Sequence, residues 1–261
     1  MTILETIIAS KRKEVAAQKQ LFSLKDLEMR SFFGKTCHSL SLSLTQPAST
    51  GIIAEFKRKS PSKGIINDQL TVKEVTQAYV EAGAACLSVL TDEPFFGGTY
   101  QDFNEARLAN PNTPILRKDF MVDEYQIVEA KSMGADVVLL IAAALSPKEI
   151  ETLGNLARSL GMETLLEVHD EEELNRSLGD YISVVGVNNR NLKNFAEQNV
   201  EASKYLSDKI PNSFIKISES CISSAAIISE LKDYGYRGFL IGESFMKTNQ
   251  PGKALSEFLV Q

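Results

Sequence analysis

Ionisable and amide side chains in this chain collect at one end of otherwise apolar runs. GIIAEF (51–56) carries Glu55 and leads into Lys57, PILRKDF (114–120) carries Lys118 and Asp119, and ETLLEVH (163–169) carries Glu167 and His169. ISVVGVN (182–188) ends in Asn188 and continues into Asn189 and Arg190. SFIKIS (213–218) is followed by Glu219 and Ser220, and RGFLIG (237–242) ends in Gly242 before Glu243 and Ser244. Positions i and i+2 of a strand share a face, so Glu55 and Lys57 point together. Charge is costly to bury unless it is paired or used. Glu55, Lys57, Lys118, Glu167 and Asn188 are therefore the candidates for proton transfer and charge stabilisation. Asp119, Asn189, His169 and Glu219 alternate with the favoured positions or lie just beyond them, and are expected to be structural.

Two further apolar runs, ACLSVL (85–90) and DVVLLIA (136–142), bring the set to eight. Helical stretches lie between them, among them VKEVTQAYVEAG (72–83), DEYQIVEAKSMG (123–134) and PKEIETLGNLARSLG (147–161). Gly83 and Gly134 stand where a glycine ends a helix, and Pro147 where a first-turn proline is tolerated. Strands that alternate with helices and read as continuous apolar runs predict a buried parallel sheet. Eight such units predict an α/β fold, a (β/α)8 TIM barrel, whose catalytic groups come from the C-terminal ends of several strands. No GxGxxG follows any run, which disfavours a doubly wound dinucleotide fold.

The loops after strands seven and eight of such barrels bind phosphate through backbone amides. Ser220, Cys221, Gly242 and Glu243 are the candidates there, with Ser60 of the SPSKG loop reaching the same anion. Phe96, Phe120, Leu139, Leu192 and Leu240 are candidates for an apolar wall. A helix starting at Ile222 in ISSAAIISELKDYG would set the Cys221 thiol at a positive helix end and favour its thiolate, the alternative being a buried, inert cysteine.

Residues 1–50 read as a helical extension ahead of a barrel at 51–261, the whole a single domain. Ile3, Leu4, Ile7 and Ile8 recur at helical spacing, and Lys11, Arg12 and Lys13 read as a solvated turn. Residues 31–50 read as a linker. SLSLSL within them alternates like a strand but lacks β-branched residues.

With 261 residues, 43% of them hydrophobic and 24% charged, the composition is that of an ordinary soluble globular protein. A net charge of −6 argues against nucleic acid or an anionic membrane as the main partner. The three cysteines, Cys37, Cys86 and Cys221, form no CxxC pair, and with only two histidines no metal cluster has a usual spacing. No apolar stretch resembles a signal peptide or a span. The expectation is a cytoplasmic, monomeric enzyme acting on a small molecule, with no membrane and no nucleic-acid partner.

IIAEFKRKSPSKG, ILRKDF, LLEVHDEEE, GVNNRNLKNF, SES and LIGESFM, in this order, resemble the motifs of the indole-3-glycerol-phosphate synthase family. ILETIIASKRKEVAAQK resembles that family's helix ahead of the barrel. The resemblance implies a lyase of tryptophan biosynthesis. It would convert 1-(2-carboxyphenylamino)-1-deoxyribulose 5-phosphate to indole-3-glycerol phosphate, carbon dioxide and water, with no metal or organic cofactor. Lys118 would be the acid at the substrate carbonyl, its pKa lowered by neighbouring cations. Glu167 would stabilise the cationic intermediate or move protons, while Glu55 and Lys57 would hold the anthranilate end and serve dehydration. Asn188 and Arg190 would orient hydroxyls and the carboxylate. Ser60, Ser220, Cys221, Gly242 and Glu243 would line the phosphate site, and Phe120, Leu192 and Leu240 would sandwich the ring. The family has glycine after the SES serine; Cys221 implies a loop that holds a small side chain turned away from the phosphate. From the residues alone two other readings stay open. One is a different phosphosugar barrel enzyme, such as an isomerase or a Schiff-base aldolase using Lys118 or Lys216. The other is a non-catalytic barrel.

Overall fold

The computed structural model describes residues 2–190 and 199–260. The eight apolar runs form eight parallel strands: β1 (Ile52–Phe56), β2 (Cys86–Leu90), β3 (Ile115–Lys118), β4 (Val137–Ile141), β5 (Glu163–Val168), β6 (Val184–Asn188), β7 (Ile215–Glu219) and β8 (Tyr236–Ile241). Each pairs with its sequence neighbours, and β1 pairs with β8, so the sheet closes into a barrel. Helices follow the strands as the (β/α)8 pattern requires. Helix Val72–Glu81 is capped by Thr71, and helix Pro147–Ser159 carries Ser146 as cap and Pro147 at its first position. Helix Glu124–Met133 ends at Gly134, which takes the left-handed conformation (φ 84°) that glycine adopts without steric cost.

Strand alternation sorts the side chains into two cores. Ile52, Ala54, Leu166 and Val168 face outward into the helix layer. Ile53, Leu116, Leu165 and Ile217 face inward as one apolar layer contributed by the odd strands β1, β3, β5 and β7. Two residues on from each of these stand Glu55, Lys118, Glu167 and Glu219. The inward period therefore delivers a charged layer directly above an apolar one.

Residues 1–50 differ from the expectation in two places. SLSLSL forms neither strand nor linker but a helix, Leu40–Thr45, capped by the Ser39 hydroxyl. Its Leu40 and Leu44, four residues apart and so on one helical face, are buried in the interior cluster with Ile53, Cys86 and Val137. The helix floors the barrel at its N-terminal end, where Glu163 accepts hydrogen bonds from the Ser39 and Ser41 hydroxyls (2.5 and 3.0 Å). The burial of two leucines overrides the alternation, which lacks the β-branched residues a strand would favour.

The second difference is Lys11. Helix Ile3–Leu21 forms as expected, opened by a capping box between Thr2 and Glu5. Its buried stripe is Ile7, Lys11 and Val15, so Lys11 is not in a solvated turn but is 1% exposed. Val15 packs with Leu27, Val122, Tyr125 and Val128, which covers helix Glu124–Met133 from outside and explains why nearly every residue of that helix is buried.

The barrel floor sets a test of stability. Leu40→Ala should cost about 3 kcal/mol, as for other fully buried leucines, and lower the denaturation midpoint while folded molecules keep their ligand affinity. A change below about 1 kcal/mol in urea unfolding would mean that the helix is not part of the core.

Candidate active site

A cavity of about 180 Å³ opens at the C-terminal ends of the strands. Glu55, Lys57, Ser60, Lys118, Phe120, Glu167, Asn188, Arg190, Ser220 and Leu240 all line it, so ten of the expected residues converge on one space. Phe96 and Leu139 join Phe120 and Leu240 in an apolar wall, with Phe96 and Phe120 ring centroids 5.9 Å apart. Cys221, Gly242 and Glu243, expected at the phosphate site, are not among the residues that line this cavity. Leu192 lies outside the described residues.

The centre of the site is the Lys118 ammonium, 2.9 Å from Glu167 and 3.1 Å from Glu219. Glu167 also accepts a hydrogen bond from the Asn188 amide at 3.0 Å. Glu55 is held by Lys57 at 2.6 Å, and the Ser88 hydroxyl reaches its other oxygen at 3.4 Å. A side chain at Gly242 would come within 2.7 Å of the Glu55 carboxylate. That glycine is therefore required by the packing of Glu55.

Glu219 belongs to the site and not to its support, contrary to the sequence reading. The strand runs one residue past SFIKIS, from Ile215 to Glu219. Inward-facing Ile217 places Glu219 inward as well, and the match with Ile53/Glu55, Leu116/Lys118 and Leu165/Glu167 was the available signal. His169 also reaches the cavity, its ring 3.8 Å from Glu167 and 3.3 Å from Glu173. Asn189 is structural as expected, donating to the Ser218 hydroxyl and the Glu219 carbonyl, each at 2.9 Å.

The electrostatics correct a second expectation. Burial alone would lower the pKa of Lys118, but Glu167, Glu219 and Glu55 outweigh it and raise it well above the ordinary lysine value. The lysine sits among anions, not cations, and stays charged. For Glu167, burial is overcome by Lys118, with His169 and the Asn188 hydrogen bond, so its carboxyl is held low. Glu219 goes the other way. Burial raises it, and repulsion from Glu167 and Glu55 limits what Lys118 can recover. Its buried Oε1 has no hydrogen-bond partner among the described residues. Two carboxyls sharing one lysine are thus pushed apart, one ionised and one favouring its proton, the pattern that separates a base from an acid.

At the opposite end of the cavity, Arg190 donates to the Ser62 hydroxyl (2.8 Å) and lies 3.4 Å from Glu243. Lys63, not singled out in the sequence, is 3.5 Å from Glu243. Ser220 and Cys221 both take positive φ (67° and 60°), a left-handed turn that glycine would adopt more easily. The following helix is Ala225–Asp233 and does not begin at Ile222. Burial pushes the Cys221 thiol up despite Arg190 nearby, so the expected thiolate is not favoured.

A family model described as indole-3-glycerol phosphate synthase matches residues 4–258. The chain belongs to the indole-3-glycerol phosphate synthase family. A relative of that name from Bacteroides thetaiotaomicron is 47% identical over 257 residues, covering 98% of this chain and 97% of its own. One from Burkholderia multivorans is 42% identical over 263 residues, covering 97% of each. Among solved structures, a mutant tryptophan synthase α-subunit from Pyrococcus furiosus superposes with a TM-score of 0.62 at 16% identity, over 81% of this chain and 98% of that one. A 3-hexulose-6-phosphate synthase gives a TM-score of 0.62 at 13% identity, over 80% and 98%. Likeness at that level shows the shared barrel. Membership of the synthase family makes this chain a decarboxylating lyase.

Glu219 sets a pH test. A carboxyl whose folded pKa is raised contributes stability below its unfolded pKa, and loses it as pH rises through the folded pKa. The native protein should therefore lose stability as pH rises from the ordinary glutamate range to neutrality. Glu219→Gln cannot titrate and should close that loss, gaining roughly 2 kcal/mol relative to the parent across the window. Urea midpoints that run parallel for the two proteins from pH 5 to 8 would show that Glu219 is ionised throughout.

Proposed function

We propose that this site closes the indole ring of 1-(2-carboxyphenylamino)-1-deoxyribulose 5-phosphate, releasing carbon dioxide and water to give indole-3-glycerol phosphate. The observation that carries the reading is the Lys118 ammonium between Glu167 and Glu219, in a cavity lined both by Phe96, Phe120, Leu139 and Leu240 and by Ser60, Ser220 and Arg190. The aryl ring fits the Phe96, Phe120, Leu139 and Leu240 side. The phosphate fits the hydroxyl and guanidinium side, with the backbone of Cys221, Gly242 and Glu243 and the Lys63 ammonium nearby. The substrate phosphate would compete with Glu243 for Arg190 and Lys63, which lie 3.4 and 3.5 Å from it.

Ring closure forms a bond from the carboxyl-bearing ring carbon to the substrate carbonyl carbon, and the carbonyl oxygen becomes anionic. Lys118 is held protonated by its carboxylates, which makes it a poor acid toward a neutral carbonyl but a strong donor to a developing alkoxide. Glu167, ionised beside it, balances the positive charge that grows on the substrate nitrogen. Loss of carbon dioxide returns the bonding pair to the ring. The new hydroxyl then takes a proton and leaves as water while a carbon-bound proton departs. The Lys57–Glu55 pair, 2.6 Å apart, has the donor and acceptor that this step needs. Asn188 fixes Glu167 and holds the Arg190 backbone amide at 3.0 Å.

The aldolase alternative fares worse on two counts. Imine formation needs a neutral amine, and Lys118 is held charged. Lys216 faces away from the cavity and donates to the Ser207 carbonyl at 2.9 Å. The reading further takes the chain to act in the cytoplasm as a monomer, without cofactor. Among the described residues no helix is long and apolar enough to cross a membrane.

The direct assay is incubation with the carboxyphenylamino substrate while indole fluorescence and carbon dioxide are followed. Absence of both removes the proposal. Lys118→Met should lower kcat by about 10³-fold or more while substrate still binds, and borohydride should trap no adduct. A lysine adduct would favour the aldolase instead. Glu167→Gln and Glu55→Gln should each cut kcat by roughly 10²-fold, whereas a change in thermal stability alone would make either residue a structural partner.

A further inference from the structure

The buried Lys11 of the N-terminal helix does a task that the reaction chemistry leaves unassigned. Its ammonium meets three carboxylates: Glu14 on its own helix at 2.8 Å, Asp119 at 3.0 Å and Asp92 at 3.1 Å. Each of the last two belongs to a different element, and each element brings part of the apolar wall to the cavity. Asp92 caps the short helix Glu93–Phe96 by accepting from the Phe95 amide at 2.9 Å, and that helix carries Phe96. Asp119 accepts from the Phe120 amide at 2.8 Å and directly follows Lys118. Lys11 itself lies one turn beyond Ile7, which lines the cavity together with Ile3 and Leu4. The far oxygen of Asp119 is taken by Thr91 (2.6 Å) and Arg117 (3.0 Å), and Arg117 continues to Glu129 at 2.9 Å. The network is therefore rigid on the barrel side, and Lys11 is the member that ties the helix to it.

We propose that Lys11 is a positioning residue for substrate: one buried cation fixes the N-terminal helix, Phe96 and Phe120 together as the wall against which the substrate's aryl ring packs. A plain anchor for the extension would need only one partner on the barrel. Lys11 has two, each locking the backbone beside an aromatic residue. Among the described residues, Ser60, Ser220 and Arg190 at the phosphate end make no bond to Lys11, Asp92 or Asp119; the link between the two ends is the segment before Ser60, where Arg58 donates to the Gly97 carbonyl at 3.3 Å and Lys59 to the Pro94 carbonyl at 2.9 Å. The inference rests on the reading of the apolar side as the aryl pocket.

The test compares Lys11→Met, Lys11→Arg and Asp92→Asn with the parent protein. Lys11→Met should raise KM for the carboxyphenylamino substrate about tenfold or more, with kcat changed much less. Inhibition by inorganic phosphate should stay within about twofold of the parent, and Lys11→Arg should restore most of the affinity. Should Lys11→Met not fold, Asp92→Asn leaves the lysine two partners and is expected to raise KM several-fold. An unmoved KM in whichever variant folds overturns the proposal, as does a phosphate inhibition constant that rises in step with KM. If the parent protein does not turn the substrate over, the functional reading fails and amide hydrogen exchange carries this test. Loss of protection at residues 3–10 in Lys11→Met, with the strands still protected, supports the wall; protection kept there removes it.

Discussion

The site depends on one ammonium set in a layer with three carboxylates. Lys118, Glu55, Glu167 and Glu219 come from alternate strands and sit one pleat above four apolar side chains. A parallel barrel fixes inward positions at that spacing and leaves no freedom to splay them. An apolar floor lowers the local dielectric and strengthens each interaction above it. Glu55 has Lys57 at 2.6 Å, which leaves Lys118 shared between Glu167 and Glu219. The result is an unequal division in which Glu167 is ionised, Glu219 favours its proton and Lys118 stays charged. That division supplies both a donor and an acceptor.

The same arrangement places an anion beside both Lys118 and Arg190. Lys118 is saturated by its carboxylates and Arg190 leans toward Glu243, so each cation has an internal anion as its partner. A bound molecule that carries a carboxylate, a carbonyl and a phosphate exchanges one set of partners for another and strands no buried charge. A neutral ligand of the same shape would offer no such exchange, and burying a polar group without a partner is what interiors penalise. Selectivity for an anionic, phosphorylated substrate follows from charge balance as much as from shape.

The barrel and most of its site were legible in the sequence because strands buried on both faces have to be apolar throughout. An ionisable residue at the end of such a run then stands out, as Glu55, Lys118 and Glu167 did. Glu219 was set aside with the residues that alternate with the favoured positions or lie just beyond them, although its period of two from inward Ile217 puts it on the inward face. The environment of Lys118 was misjudged because the strand sequence around it shows only its neighbours along the chain, Arg117 among them. Arg117 faces the helix layer with Glu129, and the carboxylates that matter arrive from β1, β5 and β7. Lys11 was invisible for the same reason. Beside Arg12 and Lys13 it reads as part of a solvated basic run, and only the fold brings Asp92 and Asp119 to it.

The N-terminal fifty residues are better understood as two closures of the barrel than as an appendage. Helix Leu40–Thr45 seals the end where the strands begin, with two leucines that complete the interior cluster. Helix Ile3–Leu21 covers the end where they finish, through Ile3, Leu4 and Ile7 at the cavity. The two closures use different physics, and the difference follows from what lies beneath them. Below is a dry layer, and apolar side chains are enough. Above is a charged layer beside a cavity that must admit a ligand, so a wholly apolar cover would leave Asp92 buried without Lys11 and Asp119 with Arg117 alone. A lysine in the stripe of Ile7 and Val15 resolves this, because its stem packs as an apolar side chain while its head meets the carboxylates. The helix that roofs the site is thus obliged to carry one charge on its buried face, at the one position from which it can reach both aspartates.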